Sequence, residues 1–102
     1  MLKPVDWIGS SKADLKKFPA TVQDAIGFAL YQAQNGVKHR DTKPLKGSAN
    51  LLEIVLHRAG DTYRTVYTFG FEAAVYVLYA LQEKRQRGRA TPTQERDPVE
   101  AG

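Results

Sequence analysis

The sequence predicts an α+β domain, with an N-terminal helical hairpin packed on a small antiparallel β-meander. Three observations predict it. Apolar residues recur at helical spacing over residues 20–35. Three alternating or apolar runs follow from residue 51, separated by glycine-containing turn signals. A length of 102 residues with 42% hydrophobic composition supports one domain with one modest core.

The elements read in order. Pro4 to Ile8 (PVDWI) is short and apolar apart from Asp6, and suits an edge strand, where proline is tolerated. Ser10 or Ser11 can cap a short helix, with Asp14 placed as in a capping box. Leu15 and Phe18 face one side of that helix, and Pro19 ends it, because the residue before proline is pushed out of the α region. The second helix runs from about Ala20 to Asn35 on a stripe of Val22, Ile26, Leu30 and Ala33. Ala25, Phe28 and Ala29 widen the stripe, Gly27 marks close packing on the sheet, and Gly36 caps the C-terminus.

A polar, basic loop then leads to Pro44-Leu45-Lys46-Gly47. Leu51 to Arg58 alternates, with Leu52, Ile54 and Leu56 on one face. Gly60-Asp61 signals a hairpin turn before Thr62 to Phe69. Ala73 to Leu81 is nearly all apolar, as a strand covered on both faces would be. From Thr91 onward (TPTQERDPVEAG) apolar residues nearly vanish, so residues 1–90 are read as the domain and 91–102 as a short C-terminal tail.

Composition excludes several chemistries. With no cysteine there is no disulfide scaffold, thiol nucleophile or cysteine-based zinc site. His39 and His57 are not at metal-ligand spacing, so neither a metal nor another cofactor is expected. GxxxxGK[ST] and GxSxG are both absent. No run approaches signal-peptide or membrane-spanning length, which fits a cytoplasmic setting with no membrane partner.

The net charge is +4 with a pI near 9.5, and it is unevenly placed. Residues 37–46 carry Lys38, Arg40, Lys43 and Lys46 against Asp41, and residues 84–89 carry Lys84, Arg85, Arg87 and Arg89 with no acid. Such clustering is the footprint expected for a polyanion partner, although basic loops also serve as plain solvated surface. Lys43, Arg85, Arg87 and Arg89 are the RNA-binding candidates on this reading.

Arg64 is the most informative residue, because an arginine within a middle strand is expensive to bury unpaired. It either forms a salt bridge to Glu53 across the hairpin or contacts an anion, and the two are compatible. Arg64, Lys46 and Lys84 form a cationic set that an antiparallel meander can bring to one exposed face. Such a set suits metal-free RNA cleavage. Arginine offers bidentate donors to a charged phosphorane, and a lysine or histidine can transfer protons.

Several segments, in order, resemble the RelE/ParE toxin superfamily: Pro44-Leu45-Lys46-Gly47, Leu52-Glu53-Ile54, Tyr63-Arg64-Thr65-Val66-Tyr67, Ala73 to Leu78, and Leu81-Gln82-Glu83-Lys84-Arg85. Trp7 before Gly-Ser-Ser, the Phe18-Pro19 break, Ala29 to Gln34, and Thr91-Pro92 are similar to its phage-derived HigB-like branch. The resemblance implies a RelE-like fold and the toxin of a type II toxin–antitoxin system. It implies an endoribonuclease that cleaves mRNA in the ribosomal A site and is held inactive by a cognate antitoxin, expected to be of helix-turn-helix type. Family basic residues carry over onto Lys46, Arg64, Lys84 and Arg85. The alternatives are a ParE-like toxin that poisons gyrase and a non-enzymatic RNA-binding module.

Overall fold

Seven elements follow one another in the computed structural model, which describes residues 2–48 and 50–84. They are β1 (Val5–Trp7), α1 (Ser11–Leu15), α2 (Ala20–Gln34), β2 (Thr42–Pro44), β3 (Leu51–Arg58), β4 (Asp61–Thr68) and β5 (Val75–Glu83). The expected tail at 91–102 lies outside the described residues.

The strands form one sheet in the order β1-β5-β4-β3-β2. β3, β4 and β5 make the expected antiparallel meander. Two strands extend it. β1 pairs parallel with β5, and β2 pairs antiparallel with β3 through Lys43 opposite Glu53. The sheet is therefore mixed. β2 falls where a polar loop was expected, because three residues are too few to show period-two alternation.

The chain enters through β1, the edge strand expected over residues 4–8, and the two helices that follow do not form the expected hairpin. α1 has five residues, roughly 7 Å, too short to run alongside α2. Each helix instead packs on the sheet, α1 on β5 and α2 across β3 and β5. The Ser10 hydroxyl donates to Asp14 Oδ2 at 2.8 Å and accepts no backbone N–H, whereas a capping-box serine would accept one.

The α2 stripe of Val22, Ile26, Ala29, Leu30 and Ala33 is buried. With Leu52, Ile54, Leu56, Tyr63, Tyr67, Val75 and Val77 it builds the core. Two expectations for α2 are corrected. Phe28 is 54% exposed, and Gly27 faces open space rather than the sheet. The expectation of a doubly covered last strand also fails, since Tyr79 and Leu81 are exposed. β5 is an interior strand, flanked by β1 and β4, but among the described residues helices cover only one of its faces. At the β3–β4 turn Ala59 and Gly60 both have positive φ, 54° and 87°, the type I′ geometry that matches strand twist. No helix among the described residues is long and apolar enough to cross a membrane.

Two stability predictions follow from this packing. Gly27 is mid-helix, with nothing within 4 Å of an added Cβ. Gly27→Ala raises stability by about 0.5–1 kcal/mol, read as an increase in the urea midpoint. Burial pushes the Tyr67 phenol up to about 12, with the Thr42 side chain opposing. The Tyr67 hydroxyl itself has no partner in hydrogen-bond geometry, and Thr42 spends its own on the His39 carbonyl at 2.6 Å. An unfolded tyrosine releases its proton near 10, so the native chain holds a proton that the unfolded chain has lost as pH rises from 10 to 12. Stability is flat below pH 10 with respect to this group and falls across that window. Tyr67→Phe removes this component of alkaline unfolding and costs nothing at pH 7; a loss above about 1 kcal/mol at pH 7 contradicts an unpartnered hydroxyl.

Candidate active site

Among the described residues helices cover one face only, and the period-two alternation of β3, β4 and β5 sends a second set of side chains to the other, open face. Register fixes which residues meet there, since directly opposed residues share a face. One row reads Lys43, Glu53, Val66, Tyr79 across four strands. The next reads Val55, Arg64, Leu81, and the third His57, Thr62, Glu83.

Arg64 stands at the centre of this face. Its Nε donates to Glu83 Oε1 at 3.1 Å, and its Nη1 donates to Glu53 Oε2 at 3.4 Å. The guanidinium side chain is 32% exposed and Glu53 only 10%, so one carboxylate sits in the floor and the other at the rim. The hydrogen bond that Arg64 donates to Glu83 raises the Arg64 pKa above its ordinary value, against the opposing effect of burial, so the charge is permanent. These bonds occupy one side of the fork. The Nη2 group makes no bond to protein among the described residues and can meet an oxyanion.

His57 lies on the same face, its Nδ1 3.1 Å from the Thr62 hydroxyl. An arginine, two carboxylates and an imidazole thus share a surface of three adjacent rows. Among the described residues no three His, Asp or Glu side chains group closely enough to hold a metal ion.

The candidate residues from the sequence separate on this sheet. Arg64 forms the expected pair to Glu53 and stays partly exposed, which leaves the anion contact open to it. Lys43 reaches the open face opposite Glu53. Lys46 is exposed in the β2–β3 turn, closed by Leu45 N–H donating to the Leu51 carbonyl at 2.9 Å. Lys84 is exposed just past Glu83. Leu51 pairs with Thr68 and Glu83 with Thr62, so the two lysines flank opposite ends of β4, roughly 20 Å apart. The structure does not bring Lys46 and Lys84 together on one phosphate. Arg85, Arg87 and Arg89 lie outside the described residues.

Sequence reasoning missed Glu83 and His57 as members of this face. Glu53 is expected from the hairpin pairing, whereas the second carboxylate on Arg64, Glu83, arrives only with β5. Continuing the β5 alternation two residues past Leu81 would have placed Glu83 beside Arg64.

The chain belongs to the family described as "Phage derived protein Gp49-like (DUF891)", which it matches over residues 13–100. Its fold is that of RelE toxins. It is similar to a mutant of the E. coli toxin RelE in the free state, at 21% identity and TM-score 0.59, over 78% of this chain and 82% of that one. It is also similar to a chain of the RelBE2 toxin–antitoxin complex from Mycobacterium tuberculosis, at 24% identity and TM-score 0.52, over 78% of this chain and 96% of that one. No curated protein matches the chain significantly.

The two ion pairs of Arg64 differ in burial and therefore in worth. Arg64→Ala leaves the Glu53 carboxylate in the floor unpaired and costs about 1–3 kcal/mol. Glu83→Gln removes an exposed pair and costs under about 0.5 kcal/mol. Denaturant midpoints measured in parallel decide this; equal costs would show that Glu53 is as well solvated as Glu83.

Proposed function

We propose that this chain is the toxin of a type II toxin–antitoxin system, a metal-independent endoribonuclease of HigB-like type that cleaves mRNA on the ribosome in the cytoplasm. The observation that carries the reading is Arg64, clamped by two carboxylates on an open sheet face, with its Nη2 group free of partners among the described residues. The Gp49-like family and the RelE fold support it. A toxin–antitoxin complex among the similar structures supports a cognate antitoxin, expected to be of helix-turn-helix type.

In this reading Arg64 meets the non-bridging oxygens of the scissile phosphate, where negative charge grows in the transition state. Glu83 binds Arg64 through Oε1, and its other oxygen accepts the proton of the ribose 2′-hydroxyl. The 2′ oxygen bonds to phosphorus, the bond to the 5′ oxygen breaks, and a cyclic phosphate is left. His57, held at Nδ1 by Thr62, delivers a proton from Nε2 to the departing 5′ oxygen. Lys84 and Lys43 hold phosphates on either side, and Lys46 grips the strand beyond them. The proton-transfer role expected for Lys46 or Lys84 passes to groups nearer Arg64.

Expression in bacteria arrests growth and produces cuts in translated mRNA. Arg64→Lys retains the charge, loses the planar fork and lowers cleavage at least about 100-fold in a folded protein. Glu83→Gln and His57→Gln each lower it about 100-fold or more. Purified protein is assayed with and without ribosomes. Arrest with intact mRNA and induced DNA damage favours gyrase poisoning. Salt-dependent RNA binding without cleavage, even on ribosomes, favours a binding module.

A further inference from the structure

A groove lies on the other side of the sheet. Ala25, Phe28 and Gln32 of α2 form one wall, Leu56 and Arg58 of β3 another, and residues 38–41 the third. It is an open groove of about 570 Å³, in the range of small-ligand sites. Leu56 belongs to the helix-covered core face, so the sheet separates this groove from Arg64.

Four features of the groove call for the same occupant. Its charge is cationic, with Lys38, Arg40 and Arg58 against Asp41. None of these three cations pairs with an acid among the described residues, while Asp41 lies 3.9 Å from His39. Phe28 presents a large aromatic ring that is 54% exposed. His39 stands edge-on to that ring, with centroids 5.9 Å apart and planes at 83°. The Asp41 backbone N–H donates to His39 Nδ1 at 3.0 Å, which leaves Nε2–H as the donor of a neutral imidazole, and that side chain is only 10% exposed. Finally, the Gln32 carboxamide oxygen is buried with no hydrogen-bond partner.

We infer that this groove binds one nucleotide of a single RNA strand, with the base against Phe28 and Gln32 and its phosphate on Arg40 and Arg58. A base supplies the π face for the phenyl ring, an N–H donor for the Gln32 oxygen and acceptors for His39. The phosphate satisfies the two guanidinium groups. An acidic protein segment answers the cations but brings no donor to the buried Gln32 oxygen. The inference takes from the proposed function only that RNA is a partner; the chemistry at Arg64 plays no part in it.

The test uses the full chain and a single-stranded oligoribonucleotide of 2′-O-methyl riboses, which cannot be cleaved through the 2′ oxygen. The oligonucleotide, and adenosine or uridine monophosphate alone, shift the NMR resonances of Phe28, Gln32 and His39. Arg40→Ala with Arg58→Ala weakens oligonucleotide binding about tenfold and lowers the slope of log affinity against log salt by about 1.4, for two lost contacts to a single strand. Phe28→Ala weakens it at least about fivefold. All three residues are exposed, so the variants fold. Silent groove resonances, an unchanged salt slope, or equal shifts from a poly-glutamate of matched charge overturn the inference, the last by marking an acidic-protein site. Cleavage that depends on Arg64 but survives such an outcome leaves the proposed function standing, and the converse result separates them equally.

Discussion

A single guanidinium organises the open face of this sheet. Arg64 sits in β4 between β3 and β5 and draws one carboxylate from each neighbour, Glu53 at 3.4 Å and Glu83 at 3.1 Å. Neither acid lies near it in sequence, so the trio exists only when three strands are paired in register. A slip of one residue would send Arg64 into the core face and leave both carboxylates unpaired. The cluster therefore favours one register as well as holding a cation, and that cation keeps a free edge because its partners occupy the other.

The cluster is possible because the described helices cover the sheet on one side. α1 and α2 bury Leu52, Ile54, Tyr63, Tyr67 and Val77 on the helical face. The opposite positions of the same strands are thereby released from core duty. Charged groups can stand there near water, where a partly exposed arginine keeps its charge at modest cost. Exposed Tyr79 and Leu81 on the same face supply apolar surface beside it, and an RNA strand offers bases as well as phosphates.

The β-meander, the long helix and the Arg64–Glu53 pair were legible in the sequence because each rests on short-range pattern. β3 was read at its observed limits, and the buried stripe of α2 came directly from its spacing. What was not legible depends on pairing between distant residues. β2 has three residues, too short for a periodic signal, and β1 finds its partner some seventy residues later. The apolar run of β5 looked doubly covered, since composition does not distinguish a strand buried by helices from an interior strand with one wet face. Glu83 was hidden for the same reason: its role follows from standing opposite Thr62, a fact about register alone. The separation of Lys46 from Lys84 is likewise a consequence of which end of β4 each one flanks.

The basic stretch at 37–46 acquires a use once it is seen in space. It leaves the end of α2, passes along the helical side and then becomes β2 at the sheet edge. Strand alternation sends Lys43 to the open face, while Lys38 and Arg40 line the groove on the helical side. Ten residues of sequence thus distribute cations around one edge and onto both faces. A cluster of like charges on a single face would repel itself and bind one phosphate patch. Spread around an edge, the same charges can follow a backbone that bends over it, from the groove beside Phe28 toward Arg64. Lys84 marks the opposite corner of the open face. Among the described residues, the positive charge is spread along one edge and onto both faces of the sheet, with the paired arginine on the open one.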